Sequence, residues 1–513
     1  MIEKVQSKIV GSSTGSAEGK ANPREKHLSD PGRNYLIMLG GLLLFAFVVR
    51  AWELGRDSIW FDEGVSVGIA HLSWRDFFLA WRVEVNSGLY YFFVRMLLPF
   101  GQSEVFLRLT SVVTGVAAIA AFAEFVRRTL GRSRALITAF FLSVNVSACF
   151  YAREIRGYAM LLLLISLAWL ALERCLRDGR QRWFAIWAIL WVAAMYVHMF
   201  SVMVLVGQLL AAPFATEFRG RIQPFTRSLV WIAIGYFPMA MMIYYSNRQQ
   251  IGWVWPNSLK ASFQFFLELF GNSAWLLGIS AALFVGTCTM FALAVLRRRS
   301  HEERFGLAVA VIGTVVPITL LALLSIVQPA FIARYAAQVV PTLALACAIA
   351  VSALPRKSWI PILVLLGALS LNAFRRFDLE PPVYEQRNDY RSAVAYIAAH
   401  AQPGDVIATW GPQSRYAVEY YARLQHANPF PSFVFPGTED SAVQAEVASY
   451  PSVQYLDSIS AQHKHIWFLF DRNVPYKQAG IIPHFFLRRL GLGHRTVSET
   501  QYRHARLFEF GPE

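Results

Sequence analysis

The chain has 513 residues, of which 55% are hydrophobic and only 16% charged, with a formal net charge of +15 and a mean hydropathy of +0.39. Soluble domains carry about 25% charged residues, so an ordinary soluble enzyme is excluded. The basic residues cluster between apolar runs, where they set membrane orientation and attract anionic lipid and phosphate, not nucleic acid.

Residues 1–33 are polar, rich in Gly and Ser, and lack the apolar core of a cleavable signal, so they are expected to form a disordered cytoplasmic tail. Apolar runs that can cross ~30 Å of hydrocarbon then recur. They predict eleven spans near 34–53, 104–126, 135–151, 157–173, 183–197, 199–215, 228–245, 274–296, 305–326, 335–353 and 358–374, a transmembrane domain over 34–374. With eleven spans, the tail lysines and arginines, Arg127–Arg134, Arg174–Arg182, Arg219–Arg227, Arg297–Arg304 and Arg356–Lys357 all fall on one side, which the positive-inside rule makes cytoplasmic. The four cysteines (Cys149, Cys175, Cys288, Cys347) lie in apolar segments without CxxC spacing, which indicates neither a disulfide framework nor a zinc site.

The outer connections, 55–103 and 247–273, carry more than linkers do. In "WRDFFLAWRVEV", Trp74, Phe77, Phe78 and Trp81 recur at helical spacing, and Phe263, Phe266, Leu267 and Phe270 repeat the stripe. Such helices either lie in the interface with aromatic faces in lipid or pack on neighbouring spans. After residue 374 the composition turns soluble: "DYRSAVAYIAAHA" and "QSRYAVEYYARL" predict helices, and "PGDVIATW", "SFVFP" and "HIWFLFD" predict strands. Residues 375–513 are therefore expected to be a small periplasmic α/β domain attached to an α-helical polytopic membrane domain.

Charged groups that map to the outer leaflet form a set. Asp62 and Glu63 ("IWFDEGVS") follow the first span, and Glu84 precedes "GLYYFF". Arg153, Glu154 and Arg156 join the third and fourth spans beside Tyr158; His198 caps the fifth, and Arg334, with Tyr335, opens the tenth. Ionisable groups at membrane depth cost about 2.5–3.5 kcal/mol each on insertion scales, so a cluster of them points to function. An acidic pair with several arginines suits a substrate that is both lipid-embedded and phosphorylated. Spacing alone leaves blander readings open: the acidic pair as partners of a helix dipole, the arginines as interface snorkellers, and His198 as a structural cap.

Several stretches resemble the bacterial membrane glycosyltransferases of the protein-O-mannosyltransferase and aminoarabinose-transferase type, the GT-C class. "IWFDEGVS" resembles the family's Trp-aromatic-Asp-Glu stretch, "REIRGYAML" its Glu-x-Arg-x-Tyr segment, and "MYVHMFS" its Tyr-x-His hairpin. "PAFIARYAAQVVP" and "NDYRSAVAYIAAHAQPGDV" match two later motifs, and the matches run in order over residues 34–430. The resemblance implies an inverting glycosyltransferase. It would move a sugar from a polyprenyl-phosphate donor to a hydroxyl of a glycan, of lipid A or another lipid, or of protein, at the periplasmic face of a bacterial inner membrane. Asp62 would be the base, with Glu63 orienting it or binding acceptor, and Arg156 and Arg334 would hold the departing phosphate. Glu84, Arg153, Glu154, Tyr158, His198 and Tyr335 would support them. Some relatives use a divalent metal ion and others do not, and the chain shows no clear ligand set. It also departs from the family in having Asn86-Ser87-Gly88 where many relatives carry His-Pro-Pro.

Three alternatives stand beside this reading. One is a lipid-pyrophosphate oligosaccharide transferase or ligase. Another is a flippase, which would place charges near the midplane in two related halves. The third is a scaffold whose outer domain recruits partners.

Overall fold

The computed structural model describes residues 31–245, 258–382, 385–409, 412–426, 430–435, 453–471 and 487–512. Residues 1–30 of the expected 1–33 tail and residues 247–257 of the second outer loop lie outside the described residues, while residues 31–33 begin the first helix. A helix covers at least part of each predicted span: α1 (Pro31–Ala51), α5 (Glu104–Leu130), α6 (Arg132–Val144), α8 (Tyr158–Asp178), α9 (Gln181–Val197), α10 (Ser201–Ala211), α11 (Ile222–Tyr245), α13 (Ala274–Leu296), α14 (His301–Val327), α15 (Ala333–Ser352, with a 3₁₀ turn) and α16 (Trp359–Leu379). Between them, α2 (Phe61–His71), α3 (Trp74–Val83) and α4 (Gly88–Leu97) fill the first loop, α7 (Val146–Tyr151) follows α6, and α12 (Leu259–Leu269) precedes α13.

Eight described helices are long and apolar enough to cross a membrane, while Gln181–Val197 and Ser201–Phe214 are shorter apolar helices. The protein is thus a multi-pass membrane protein. The predicted span at 135–151 is broken at Asn145, which is extended (φ −61°, ψ 127°) and caps α7 by accepting from the Ala148 amide. The break leaves carbonyls at the end of α6 without helical partners. The buried guanidinium of Arg50 takes two of them, those of Leu142 (2.8 Å) and Ser143 (3.0 Å).

One core fills the bundle, with Trp169, Trp187 and Trp191 fully buried; Gln208 Oε1 accepts from the indoles of Trp187 and Trp191 at 2.6 and 2.9 Å. A second core joins the first loop to the C-terminal residues: Ile59, Val67, Phe77 and Tyr91 pack with Tyr390, Ile397, Tyr416 and Trp467. Here α17 (Tyr390–His400), β1 (Val406–Thr409), α18 (Pro412–Leu424), β2 (Ser432–Phe435), α19 (Val453–Gln462), β3 (Ile466–Asp471), β4 (His494–Tyr502) and β5 (Ala505–Pro512) build a five-stranded sheet in the order β2-β1-β3-β5-β4. The β1, β2 and β3 strands are parallel, as strand–helix alternation predicts, whereas β4 and β5 form an antiparallel hairpin that the sequence reading does not include.

The two aromatic stripes divide between the readings left open. On α3, Phe77 is fully buried while Trp74 and Phe78 are about half exposed; on α12, Phe265 is buried while Phe263 and Phe266 face outward. Each helix therefore packs one side on the protein and leaves an aromatic edge free.

Candidate active site

The site grows from the start of α2. Trp60 is its extended N-cap residue, and Glu63, three positions on, turns its carboxylate back toward the Trp60 amide. Both Glu63 oxygens are committed: Oε2 lies 2.5 Å from Arg108 Nη2, and Oε1 accepts from Arg108 Nε at 2.8 Å and from the Ile155 amide at 2.9 Å. Arg108, 1% exposed, also donates to the carbonyls of Leu54, Asp57 and Ser58. The Glu63 carboxylate is thus spent on a buried fork that ties α2, and Asp62 with it, to α5 and to the 154–156 loop.

Asp62 points the other way. Its Oδ2 lies 3.1 Å from Arg334 Nη1 and 3.6 Å from Arg156 Nη2, and Arg156 Nη1 donates to the Asp62 carbonyl at 3.3 Å. Three residues expected together from sequence therefore meet, from α2, the α7–α8 loop and the start of α15. The Asp62 side chain keeps 17% exposure and Arg156 12%, so the junction is not fully enclosed.

An aromatic wall flanks the arginines. The His198 ring lies 5.9 Å from Tyr158, 5.5 Å from Phe200 and 5.4 Å from Tyr335, and the Arg334 guanidinium sits 5.6 Å over the Tyr335 ring. His198 Nδ1 accepts from the Phe200 amide at 3.3 Å, while Nε2 is buried without a hydrogen-bond partner among the described residues.

The remaining predicted residues have other settings. Arg153 donates to the carbonyls of Trp52 (2.7 Å) and Glu53 (3.4 Å), with its Nε 3.7 Å from Asp378, and so fastens the end of α1. Glu154 is 1% exposed, its nearest cation Arg387 at 3.9 Å. Glu84 is the C-cap residue of α3, half-buried. Beside it, Asn86 Oδ1 accepts from the Met199 amide at 3.3 Å, Ser87 adopts φ 80°, and a Cβ on Gly88 would meet the Trp81 indole at 1.7 Å. Asn86-Ser87-Gly88 is thus a tight turn that pins the His198 hairpin.

Sequence reasoning missed Glu385. It lies just beyond α16, 1% exposed, with Oε1 3.7 Å from Arg334 Nη1 and accepting from the Tyr151 hydroxyl at 3.4 Å. Burial pushes its carboxyl up to about 7 against the pull of Arg334, and burial with the neighbouring Glu385 raises Glu154 as well. The collected outer charges stopped at the tenth span, so those just after the eleventh (Asp378, Glu385 and Arg387) went uncounted, although the same depth argument covers them. Among the described residues no three His, Cys, Asp or Glu side chains converge in a way that could hold a metal ion.

Comparison with known proteins bears on this arrangement. Residues 88–245 match the family described as dolichyl-phosphate-mannose-protein mannosyltransferase. A search of curated protein sequences found no match. Among solved structures, ArnT from Cupriavidus metallidurans in the apo state is similar with a TM-score of 0.60 at 12% identity, covering 94% of this chain and 98% of that one. The same protein bound to undecaprenyl phosphate gives 0.59 over the same shares at 12% identity. The oligosaccharyltransferase of Archaeoglobus fulgidus, in complex with Zn and sulfate, gives 0.50 at 12% identity over 91% of this chain and 73% of that one. The chain shares the fold of ArnT, a bundle of membrane helices with a small C-terminal sheet unit.

Proposed function

We propose that the protein is a polyprenyl-phosphate-dependent, inverting glycosyltransferase that acts at the periplasmic face of a bacterial inner membrane, its acceptor a hydroxyl of a glycan, a lipid or protein. One observation carries the reading: the convergence of Asp62, Arg156 and Arg334, from three separate elements of the chain, on one partly exposed junction. The fold shared with a protein crystallised with undecaprenyl phosphate supports it, as does the match of residues 88–245 to the mannosyltransferase family.

The mechanism follows from charge. A sugar phosphodiester leaves as a lipid phosphate, stable enough to need no strong acid, so the protein's task is to hold the growing negative charge. Arg156 and Arg334 supply two guanidinium groups in a setting shielded from water, where such contacts are stronger than in solution. Before the donor arrives they hold the Asp62 carboxylate. A phosphate that takes their N–H groups frees that carboxylate to face the acceptor and accept its hydroxyl proton. The acceptor oxygen then attacks the anomeric carbon from the side opposite the phosphate, which inverts the configuration. Tyr158, His198 and Tyr335 wall the arginines and keep water from competing. Glu63 and Arg108 fix α2 so that Asp62 is held at the arginines.

The test uses purified full-length protein in lipid nanodiscs, with a panel of polyprenyl-phosphate sugars and cell-envelope acceptors. Asp62→Asn is expected to lower transfer by roughly 10²–10⁴-fold while undecaprenyl phosphate still binds. Unchanged transfer by this variant would sink the assignment. Mass spectrometry of envelope glycans from a strain lacking the protein identifies the sugar and its acceptor.

A further inference from the structure

Arg334 stands between two carboxylates. Its Nη1 lies 3.1 Å from Asp62 Oδ2 and 3.7 Å from Glu385 Oε1, so one guanidinium nitrogen links α2 to the segment that leaves the last span. Glu385 Oε2 is buried and has no hydrogen-bond partner among the described residues, and the same holds for both oxygens of Glu154. Buried carboxylates are normally satisfied, and an unsatisfied one is stabilised by holding a proton.

The charges of the proposed reaction give these carboxyls a task. The donor phosphodiester carries one negative charge, whereas the lipid phosphate left behind carries close to two near neutral pH, as other phosphate monoesters do. Arg156 and Arg334 already face Asp62 and Glu385. A second phosphate charge overfills the pair unless a carboxyl becomes neutral.

We propose that Glu385 is the proton store of the site, a positioning residue that acts through Arg334. It takes up the proton released by the acceptor and so leaves both arginines to the dianionic lipid phosphate. The proposal rests on the glycosyl-transfer reading. In the step, the acceptor O–H bond breaks and its oxygen bonds to the anomeric carbon. The bond from that carbon to the phosphate oxygen breaks with its electron pair going to phosphate, and the proton passes from Asp62 to Glu385. No oxidant or reductant enters.

The surroundings of Glu385 agree. Arg334 from α15 and Arg156 from the α7–α8 loop favour its charged form, while Asp62 from α2 and Glu268 from α12 oppose it. Tyr151 from α7 donates to it, Tyr158 from α8 faces it, and Glu154 beside Arg156 competes for the same proton. Burial leaves it near 7, where it can exchange a proton at physiological pH.

Full-length protein in nanodiscs is titrated with undecaprenyl phosphate by calorimetry in two buffers of different ionisation enthalpy, which counts the protons exchanged. At pH 7, Glu385→Gln is expected to release about half a proton more per bound lipid than the wild type, because a half-ionised acceptor has been removed. Binding with an unchanged proton count overturns the proposal. Glu385→Asp is the second variant, and it decides if the Gln protein does not fold. Its shorter arm draws the carboxyl back from Arg334, so its proton count is expected to follow a different course with pH. A course identical to wild type overturns the proposal. If the wild type binds no undecaprenyl phosphate, the polyprenyl-phosphate reading itself fails and takes this proposal with it, an outcome distinct from binding with an unaltered count.

Discussion

Asp62 and Glu63 are adjacent in sequence and end in opposite settings. Glu63, fully buried, spends both oxygens on Arg108 and the Ile155 amide, while Asp62 keeps partial exposure between Arg156 and Arg334. Removing Arg108 would leave Glu63 as an uncompensated buried charge, which costs about 3–5 kcal/mol. Arg108→Ala is therefore expected to lower the thermal unfolding midpoint sharply, and Glu63→Gln, which keeps the shape, to do so less. Arg334→Gln belongs to the other class. It should lower the unfolding midpoint less than Arg108→Ala does, because Arg156 still faces Asp62, and weaken undecaprenyl phosphate binding by roughly tenfold to a hundredfold, the value of one charge-assisted hydrogen bond; equal binding would remove Arg334 from the phosphate site. At this scale the sequence was informative for Asp62, Arg156 and Arg334, because a charge at a span end is costly without a partner. It was silent on which of two neighbouring carboxylates points inward, since that depends on Arg108 arriving from a helix 45 residues away.

Helix α2 reaches its place through two glycines. A Cβ on Gly64 would lie 3.0 Å from Ala417, and one on Gly68 would meet the Tyr416 ring at 2.2 Å, so α2 and α18 touch where only glycine fits. Gly68→Val is expected to push the helices apart at a cost of about 1–3 kcal/mol. The observable is faster proteolysis of the C-terminal unit together with reduced transfer, because Asp62 rides on the displaced helix. Most long elements were legible in the sequence, since a run of apolar residues has few other fates. The break at Asn145 was not, because its cost is met by Arg50 from another helix. The β4–β5 hairpin escaped as well: β4 is mostly solvent-facing and "HRTVSETQY" has no apolar run to announce a strand.

Across the whole molecule, one ionic junction unites the parts. Asp57, in the first loop, takes Arg387 at 2.9 Å, Arg503 at 2.7 Å and Arg56 at 2.9 Å, while Asp378 at the end of α16 takes Arg56 at 2.8 Å. Tyr421 and Arg391 close on Glu104 alongside it. The arginine guanidinium groups hold Asp57 well below the usual carboxylate range even though burial opposes them. A depressed carboxylate stabilises the fold above its unfolded value, and the contribution disappears only as pH falls through the lower, folded value. Asp57→Asn is thus expected to be markedly less stable than wild type at pH 7 and at pH 5, the gap narrowing only below about pH 4. Unfolding midpoints taken across that range decide it, and a gap that closes by pH 6 would mean that the junction is not held by Asp57.

The same junction sets an order of events during synthesis. Arg503 donates to a carboxylate 446 residues earlier in the chain, and Arg334 meets Asp62 across 272 residues. At translation rates of about 5–20 residues per second, the first loop waits roughly 20–90 s for its final partner. Until then Asp57 lacks part of its set of counter-charges, whereas Asp62 has its own as soon as Arg334 is in place. The junction around Asp57 is consequently among the last parts of the protein to close, and it closes only after the C-terminal strands have been made and docked.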